Sequence, residues 1–405
     1  MALIRLARAF CDALEEFQLS SKNNRSKITA VIRDGCSTNC KAVQMIRDFG
    51  FNHIMDMKCI SHASNNIGKL LHKSCRKATV FIEKFNTLMN RSEKGRRNFT
   101  VLIEEEVKRF SSDIRWFYRQ SVASQIFNKW NHVRSLINDE EIYALNLKDK
   151  LKLMIRDNEH DILIELALLE DIASVLAQLC YYQEGDAFLV PTTFQHWQNT
   201  MQLLKDCIDQ RVQLPHLCHT LQNLYQDHNE IQLLTIQTLE KIKPCYHKMV
   251  DDTTARLKGS LSILRACRLF DYRFIATNPL MSLYTRDHNG DESGELFQLC
   301  HLPSYSEERH LNQFKDEVQL YHSYAVSENS KGENDRPGVL DFWKLHKLNL
   351  PVFSGVVQLL GTLCPSSATV ERLFSLLAGI QTDTSLADYR RTSCMVRYNE
   401  NFRMK

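Results

Sequence analysis

The sequence predicts a mostly helical protein in which a small α/β unit is joined to a large all-α region. Only 13 Gly and 8 Pro occur among 405 residues, so few positions interrupt a helix. A β-branched run near the N-terminus lies between segments of helical spacing, and long amphipathic stretches follow from about residue 62 to 275. The length allows one large domain or two to three ordinary ones.

The α/β unit is predicted from the first 57 residues. Apolar residues at helical spacing cover 3–17, and a polar turn follows them. The run 27–32 is typical of a buried strand, with Asp34 just after its C-terminal end. Residues 42–49 then repeat as a helix, and 51–57 fits a second strand. This alternation predicts strands that are at least partly parallel.

The region from 62 to 275 has no convincing strand, and its apolar stripes predict packed helices. One stripe consists of Ile162, Leu163, Leu166, Leu169, Ala173, Leu176 and Cys180; a second consists of Leu217, Leu221, Leu224, Ile231, Leu234 and Leu239. Beyond it, the polar segments 285–294 and 327–338 are typical of loops or disorder. Between them, 311–324 is predicted to be a helix.

Composition restricts the function classes. The net charge is +3, so only a local basic patch could indicate a nucleic-acid partner. The 13 Cys are scattered and odd in number, which favours reduced thiols in a cytosolic or nuclear chain. The first residues contain Arg within their apolar run and predict an amphipathic helix, not a signal peptide. No uncharged apolar stretch is long enough to predict a membrane span.

The most informative motif is the string PSSATVERLFS at 365–375. Pro365 and the two Ser residues predict a helix start, and Val370, Leu373, Phe374 and Leu377 share one face beside Glu371. Taken alone, this is an amphipathic helix with a solvated Glu. The whole string resembles the signature of hAT-type DNA transposases. The segment 339–344 (VLDFWK) is similar to the segment that leads into that family's C-terminal dimerisation region. The segment 399–401 (NEN) is similar to the usual end of that region.

A second match follows the first predicted strand. The string DGCSTNCKA at 34–42 is similar to the family's Asp-Asn-x-x-x-Asn-x-x-x-Ala. A carboxylate at the end of a strand can face a crevice that holds a metal and a phosphate. The alternative for Asp34 is an ordinary helix-capping turn.

A third match is Cys59-Ile60-Ser61-His62, which is similar to the family's Cys-x-x-His; there this element supports the catalytic centre. A zinc site made of Cys36, Cys40, Cys59 and His62 is the alternative, and it is disfavoured because the first two would lie on the predicted helix. His216, Cys218 and His219 also cluster, but without a second ligand pair; a helical face with satisfied partners is the preferred interpretation.

Two weaker matches surround the predicted helical insertion. Arg115-Trp116 resembles the family's Arg-Trp, whose Trp helps to hold DNA during hairpin formation; the alternative for Trp116 is a core anchor. The string LFDYRF at 269–274 is similar to the Leu-Asp-Pro-Arg-Phe that follows the insertion, with Tyr272 in place of Pro. Five matches occur in the family's order, which is much harder to obtain by chance than any one of them.

The resemblance implies a ribonuclease-H-like core that cleaves and transfers DNA strands with two Mg²⁺ ions held by three acids. Asp34 would be the second acid and metal ligand, and Glu371 the third. The nearest upstream acids, Asp12, Glu15 and Glu16, lie on a helical pattern, so we expect the first strands and the first acid to be missing. The family's N-terminal zinc-finger domain is expected to be missing too.

These matches predict four segments: a partial core at 1–116, a helical insertion at 117–284, loops around one helix at 285–338, and C-terminal core helices with the dimerisation region at 339–405. We expect an inactive, nuclear, transposase-derived protein that needs no cofactor, although Mg²⁺ would fit a retained acidic pocket. The truncated sheet is expected to expose an edge to another chain.

The expected partners are a second copy or a related hAT-type chain through Leu373, Phe374 and Leu377, and DNA; neither a membrane nor a small-molecule substrate is expected. Basic residues cluster at Lys94, Arg96 and Arg97 and at Arg390, Arg391 and Arg397; a solvated face is the preferred interpretation of the first group. The alternative function is an all-helical interaction scaffold with no role in nucleic-acid binding. A zinc-binding regulator is a more distant alternative.

Overall fold

A computed structural model describes residues 30–33, 37–48, 55–110, 116–139, 145–184, 190–278 and 308–360. Helices account for 85% of these residues, and the remaining regular structure is a parallel sheet of two strands. The predicted combination of a small α/β element with a predominantly helical chain is therefore confirmed at this level. No helix in the described ranges combines the length and the apolar character that a membrane crossing requires.

The sheet pairs β1 (Ala30–Arg33) with β2 (Met55–Lys58). The strands are parallel, with Ala30 opposite Met55 and Arg33 opposite Lys58. Helix α1 (Ser37–Asp48) connects them and buries Ala42, Val43 and Ile46. The β-branched residues Val31 and Ile32 favour the extended backbone of β1. The predicted strand–helix–strand order and the parallel pairing are confirmed, although each strand has only four residues.

The other regular elements of the described residues are helices. In chain order they are α2 (Ile60–Ser74), α3 (Arg76–Arg91), α4 (Glu93–Ile103), α5 (Trp116–Asn128), α6 (Trp130–Asn138), α7 (Leu145–Leu168), α8 (Ser174–Glu184), α9 (Val190–Ile208), α10 (Pro215–Leu224), α11 (His228–Leu239), α12 (Lys243–Asp251), α13 (Lys258–Cys267), α14 (Tyr272–Thr277), α15 (Glu308–Asn329), α16 (Val339–His346) and α17 (Pro351–Leu360). Short 3₁₀ turns occur at Glu240–Ile242, Arg268–Phe270 and Glu333–Asp335.

The chain divides into two compact units, and one of them is discontinuous in sequence around the other. The first contains Met1–His62, Gln183–Gln195 and Leu257–Lys405. Its described part holds the sheet and helices α1 and α13–α17. The chain therefore leaves this unit after the second strand and returns to it before α13, apart from one short intermediate passage.

The second unit contains Ala63–Tyr182 and His196–Arg256, and its described residues are helical and connecting segments. Helix α3 packs against α7, and the rings of Phe81, Phe85 and Phe99 fill the space beside them. The absence of strands predicted for this part of the chain is confirmed for the described residues. The predicted segment boundaries at 117, 285 and 339 were drawn from motifs and stay predictions.

One nearly continuous helical path in the second unit consists of α7, a π turn at Leu169–Ala173, and α8. The backbone bends at Asn158, where φ is −146° and ψ is 24°. The apolar stripe predicted from Ile162 to Cys180 is buried along this path, with Leu163 only partly covered. A π turn inserts one residue into a helix, and such insertions often occur at functional sites.

The predicted helix at 311–324 is confirmed and extends over the whole of α15. The second predicted loop, 327–338, begins inside the last turn of α15 and then contains the 3₁₀ turn Glu333–Asp335. The first predicted loop, 285–294, lies outside the described residues, as does the predicted N-terminal helix at 3–17.

Candidate functional site

The predicted catalytic and dimerisation residues lie outside the described part of the chain. This applies to Asp34, Glu371, Arg115, Leu373, Phe374 and Leu377. Trp116 is the first residue of α5, but its side chain is not described. The predicted acidic pocket therefore stays a prediction.

Arg33, the residue before Asp34, forms an ion pair at the end of the sheet. Arg33 ends β1 and donates two hydrogen bonds of 2.6 Å to the Asp56 carboxylate on β2. Its Nη1 also donates to the Cys40 sulfur on α1 at 2.8 Å. Hydrogen bonding to Asp56 raises the pKa of Arg33 above its ordinary value. The carboxylate of Asp56 is thus neutralised by a cation that lies beside it.

Cys59 and His62, the predicted supporting pair, form a helix-start element. The Cys59 backbone N–H donates to the Arg33 carbonyl at 2.7 Å and extends the strand pairing by one residue. Its buried sulfur accepts a hydrogen bond from the backbone N–H of His62 at 3.3 Å. This sulfur occupies the place of an N-cap acceptor for α2. Because this contact uses the backbone of residue 62, it gives a role to the cysteine and no reason for the histidine side chain.

The zinc alternative gains no support from the described residues. Cys36 lies outside them, the Cys40 sulfur faces a guanidinium, and the Cys59 sulfur accepts a backbone N–H. No group of three or more potential metal ligands occurs in the described ranges.

The string LFDYRF starts α14 through a charged cap. Asp271 accepts a hydrogen bond from the Arg273 backbone N–H at 3.0 Å, and its two oxygens accept from the Arg273 guanidinium at 2.8 Å each. A carboxylate at the N-terminus of a helix is favoured by the free N–H groups there. The contacts between Asp271 and Arg273 therefore hold the first turn of α14 in place.

The LFDYRF motif packs against the segment 339–344, another string that is similar to one in the transposase family. The Trp343 indole donates to the Phe270 carbonyl at 2.8 Å, and the Tyr272 hydroxyl donates to the Pro337 carbonyl at 2.8 Å. The rings of Tyr272 and Phe342 stack with centroids 4.6 Å apart. Two motifs about 70 residues apart in sequence therefore form one packed site.

Two further side chains complete this site, which we call the aromatic core. The Tyr321 hydroxyl on α15 donates a hydrogen bond to the Leu269 carbonyl at 2.8 Å. The ring centroids of Tyr321 and Trp343 are 4.8 Å apart. Phe353 on α17 lies 5.0 Å from the Tyr321 ring. The aromatic core thus consists of Phe270, Tyr272, Tyr321, Phe342, Trp343 and Phe353. Tyr321 and Phe353 were not singled out in the sequence, where an aromatic side chain on an amphipathic helix carries no distinguishing signal.

Polar groups at the margin of the aromatic core hold its helices in place. Glu317 on α15 accepts from the backbone N–H groups of Val352 and Phe353 at the start of α17, at 2.9 and 3.1 Å. Burial raises the pKa of Glu317, and these two hydrogen bonds partly oppose that effect. His346 stacks on Tyr324 with centroids 4.3 Å apart, and burial lowers the pKa of its imidazole.

The second unit connects its helices through buried carboxylates. Glu165 accepts from the Ala78 backbone N–H at 2.9 Å, near the start of α3, and forms an ion pair with Lys241 at 2.5 Å. In the same unit, burial lowers the pKa of the His72 imidazole to about 3, with a further contribution from Arg119. A neutral imidazole is therefore the stable form in the fold.

The cluster His216, Cys218 and His219 lies on α10, where a carboxylate caps the helix. Asp171, in the π turn, accepts from the Leu217 backbone N–H at 2.9 Å and lies 2.7 Å from His216 Nδ1. His219 contacts Asn223 on the same helix at 3.2 Å. Two members of the cluster thus have protein partners, as the preferred interpretation predicted.

The basic group at 94–97 makes contacts within its own region. Arg97 pairs with Glu93 one helical turn away, at 2.5 Å, and Arg96 donates to the Met89 carbonyl at 2.9 Å. These contacts agree with the prediction of a solvated face. The second basic group, Arg390, Arg391 and Arg397, lies outside the described residues.

No protein-family model matches this chain, and no curated protein sequence matches it.

Proposed function

We propose that this chain is a transposase-derived protein of the hAT type that has lost catalysis and acts in the nucleus through protein dimerisation, with DNA as a second partner. The observation that carries the proposal is the order of its compact units. Strands β1 and β2 share a unit with the chain from Leu257 onward, and most of the intervening chain belongs to another unit. An α/β core interrupted by a helical insertion requires this arrangement.

The packing of the two family-like strings supports the same conclusion. In the proposed ancestor, one string follows the insertion and the other leads into the dimerisation region. Here they share the aromatic core, where Trp343 binds the Phe270 carbonyl and Tyr321 binds the Leu269 carbonyl. Tyr272 stands where the family has Pro. The Tyr272 ring stacks on Phe342 and its hydroxyl donates to the Pro337 carbonyl, so the replacement adds two contacts.

The proposed loss of catalysis rests on the acids. Strand transfer by two Mg²⁺ ions needs three carboxylates, of which Asp34 and Glu371 are the two that we identify. Asp56 is not a substitute for the third, because both of its oxygens accept hydrogen bonds from Arg33. Two carboxylates would bind the ions weakly and hold them in poor geometry.

A strand-transfer assay tests the loss of catalysis. The 405-residue chain would be incubated with plasmid DNA and Mg²⁺ or Mn²⁺, beside its Glu371→Gln variant. We expect no cleavage above the level of the variant. Metal-dependent cleavage that disappears in Glu371→Gln would show that the pocket is active and would overturn this part of the proposal.

Sedimentation analysis tests the proposed dimer. We expect the chain to self-associate, and Leu373→Glu with Leu377→Glu to shift it to monomers because charges are costly at an apolar interface. Leu153→Glu is the matched control, because Leu153 is an exposed leucine of α7, outside the predicted surface. Equal association of all three proteins would contradict dimerisation through the predicted C-terminal helix.

An all-helical interaction scaffold without a nucleic-acid role is the second candidate. It is favoured by the 85% helical content and by basic residues such as Arg97 and Arg119 that are paired with acids of their own unit. Fluorescence anisotropy with labelled duplex DNA separates the candidates. Affinity that falls steeply as salt rises supports the transposase-derived proposal, whereas no binding at low salt favours the scaffold.

A further inference from the structure

We propose that a basic stripe on α2 and α3 binds the phosphate backbone of duplex DNA without reading its sequence. The stripe consists of Lys69 and Lys73 on α2 and of Arg76, Lys84 and Arg91 on α3, all within the second unit. The inference rests on the proposed function, because it names the surface that holds the DNA partner.

The charge of this part of the chain differs from that of the whole. Residues 60–100 contain nine Lys or Arg and two acids, an excess of seven positive charges, whereas the whole chain has a net charge of +3. Helix α2 contains no acid, and α3 contains only Glu83. Solvated helical faces usually carry charges of both signs, so a face this one-sided favours a polyanionic partner.

The acids that could compensate the stripe are bound to other cations. Glu83, the single acid of α3, forms an ion pair with Arg119 at 2.9 Å. Asp161 on α7 forms an ion pair with Lys77, which lies next to the stripe. Within the described ranges, the side chains of the stripe residues form neither an ion pair nor a hydrogen bond. Their charges are therefore balanced by solvent and mobile counterions, which a phosphate backbone can replace.

The stripe follows the helical repeat on a rigid support. Lys69 and Lys73 are separated by about one turn of α2, and Lys84 and Arg91 by about two turns of α3. All of the stripe residues are exposed except Lys84, which is partly covered. From Arg76 to Arg91 the helix extends about 22 Å, and duplex DNA carries one charge per about 1.7 Å of its axis. Several phosphates therefore lie within reach of the stripe at once.

The uncharged side chains of these two fully described helices distinguish a duplex from other polyanions. Phe81 and Phe85 on α3 are buried, and α2 contains no Phe, Tyr or Trp, so no ring is available for the base stacking that single strands use. No large apolar side chain of either helix is exposed, so none can enter a membrane or anchor an acidic protein. What these helices present is a row of cations, which suits a regular phosphate backbone.

Fluorescence anisotropy of the full chain with a labelled duplex of about 20 base pairs tests the surface. We expect binding that weakens steeply as salt rises and that is equal for two unrelated sequences. Lys69→Gln with Lys73→Gln, and Lys84→Gln with Arg91→Gln, should each weaken binding about tenfold or more. Each pair should also lower the slope of log affinity against log salt by about two, because two phosphate contacts are lost.

Two control pairs separate the stripe from net charge and from folding. Lys205→Gln with Arg211→Gln removes the same charge from exposed positions at the end of α9 and should leave the affinity nearly unchanged. Lys69→Arg with Lys73→Arg keeps the charge of the stripe and should bind like the unaltered chain. Gln and Arg are both good helix formers, and circular dichroism checks that every variant retains its helices.

Unchanged affinity in both Gln variants of the stripe would overturn the surface and leave the DNA partner of the proposed function standing. An equal loss in the α9 control pair would overturn it too, because net charge and not the stripe would then carry the binding. Absence of binding by the unaltered chain at low salt would remove the DNA partner itself. A single strand of the same length that binds more tightly than the duplex would overturn the duplex assignment.

Discussion

In the unit that contains the sheet, distant segments are joined by aromatic rings whose polar tips bind backbone carbonyls. Trp343, Tyr321 and Tyr272 each make such a bond of 2.8 Å. In the other unit, distant helices are joined by buried carboxylates, such as Glu165 with Lys241 and Asp171 with the start of α10. The first kind of joint consists of neutral groups, although Glu317 and the Arg33–Asp56 pair add charged contacts in the same unit. The second kind depends on charges that must remain paired.

This difference predicts different sensitivities. Aromatic packing fails when volume is removed, because a cavity and a lost contact surface both cost free energy. A buried ion pair fails when one partner is removed, because the remaining charge has no compensation. Acid should therefore affect the two units through different groups.

The largest effect of a single substitution at neutral pH is expected at the centre of the aromatic core. Trp343→Ala removes a buried ring and its hydrogen bond to Phe270, and should lower the free energy of unfolding by about 4 kcal/mol. Trp343→Phe, the matched control, keeps most of the ring and should cost much less. Chemical denaturation followed by circular dichroism measures both, and equal losses would mean that packing does not hold this site together.

A somewhat smaller loss is expected at the buried ion pair. Glu165→Ala leaves Lys241 and the Ala78 N–H without their shared acceptor, and should cost about 3 kcal/mol. The double variant Glu165→Leu with Lys241→Met removes both charges and should recover part of that loss. If the double variant is as unstable as the sum of its single changes, pairing is not the reason for the loss.

A pH effect of about 1.4 kcal/mol per pH unit is expected from His72. Burial lowers the pKa of this imidazole to about 3, below its value near 6.5 in an unfolded chain. The unfolded state therefore binds the proton first, so stability is full above pH 6.5 and falls as the pH drops toward 3. His72→Phe should reduce this slope.

The His72 ring protons also report the effect by NMR. They should keep the shifts of a neutral imidazole down to about pH 4. A titration of His72 near pH 6.5 would contradict the burial effect.

The smallest effect is expected at the edge of the aromatic core. Tyr272→Phe removes only the hydroxyl that binds the Pro337 carbonyl, and should cost about 1 kcal/mol while the stacking on Phe342 persists. Thermal unfolding measures this loss. A cost as large as that of Trp343→Ala would mean that the hydrogen bond, and not the stacked ring, fixes the segment around Pro337.

Much of the fold could be predicted because it follows local patterns. The β-branched residues before Arg33 predicted a strand, and the spacing from Ile162 to Cys180 predicted a buried helical face. Both patterns can be recognised because their successive residues lie within four positions of one another in the sequence. The bend at Asn158 and the π turn were not predicted, because neither interrupts the apolar repeat.

The contacts that join the segments could not be predicted, because they connect residues far apart in sequence. Glu165 and Lys241 are separated by 76 positions, and in the sequence each looks like an ordinary solvated residue of a helical segment. The role of Cys59 was also missed: a sulfur that accepts a backbone N–H has no signature separate from a metal ligand. The catalytic pocket around Asp34 and Glu371 stays a prediction, since both acids lie outside the described residues.

The ion pair at the end of the sheet affects how acids should be counted near the predicted metal site. Arg33 and Asp56 together contribute no net charge, although a sequence count would enter Asp56 as one of the acids close to Asp34. A divalent cation approaching this end of the strands would therefore meet a weaker field than the acid count suggests. To recruit Asp56 as a ligand, evolution or an engineer would first have to remove the guanidinium, and the two neighbouring strands would lose the ion pair that joins their side chains.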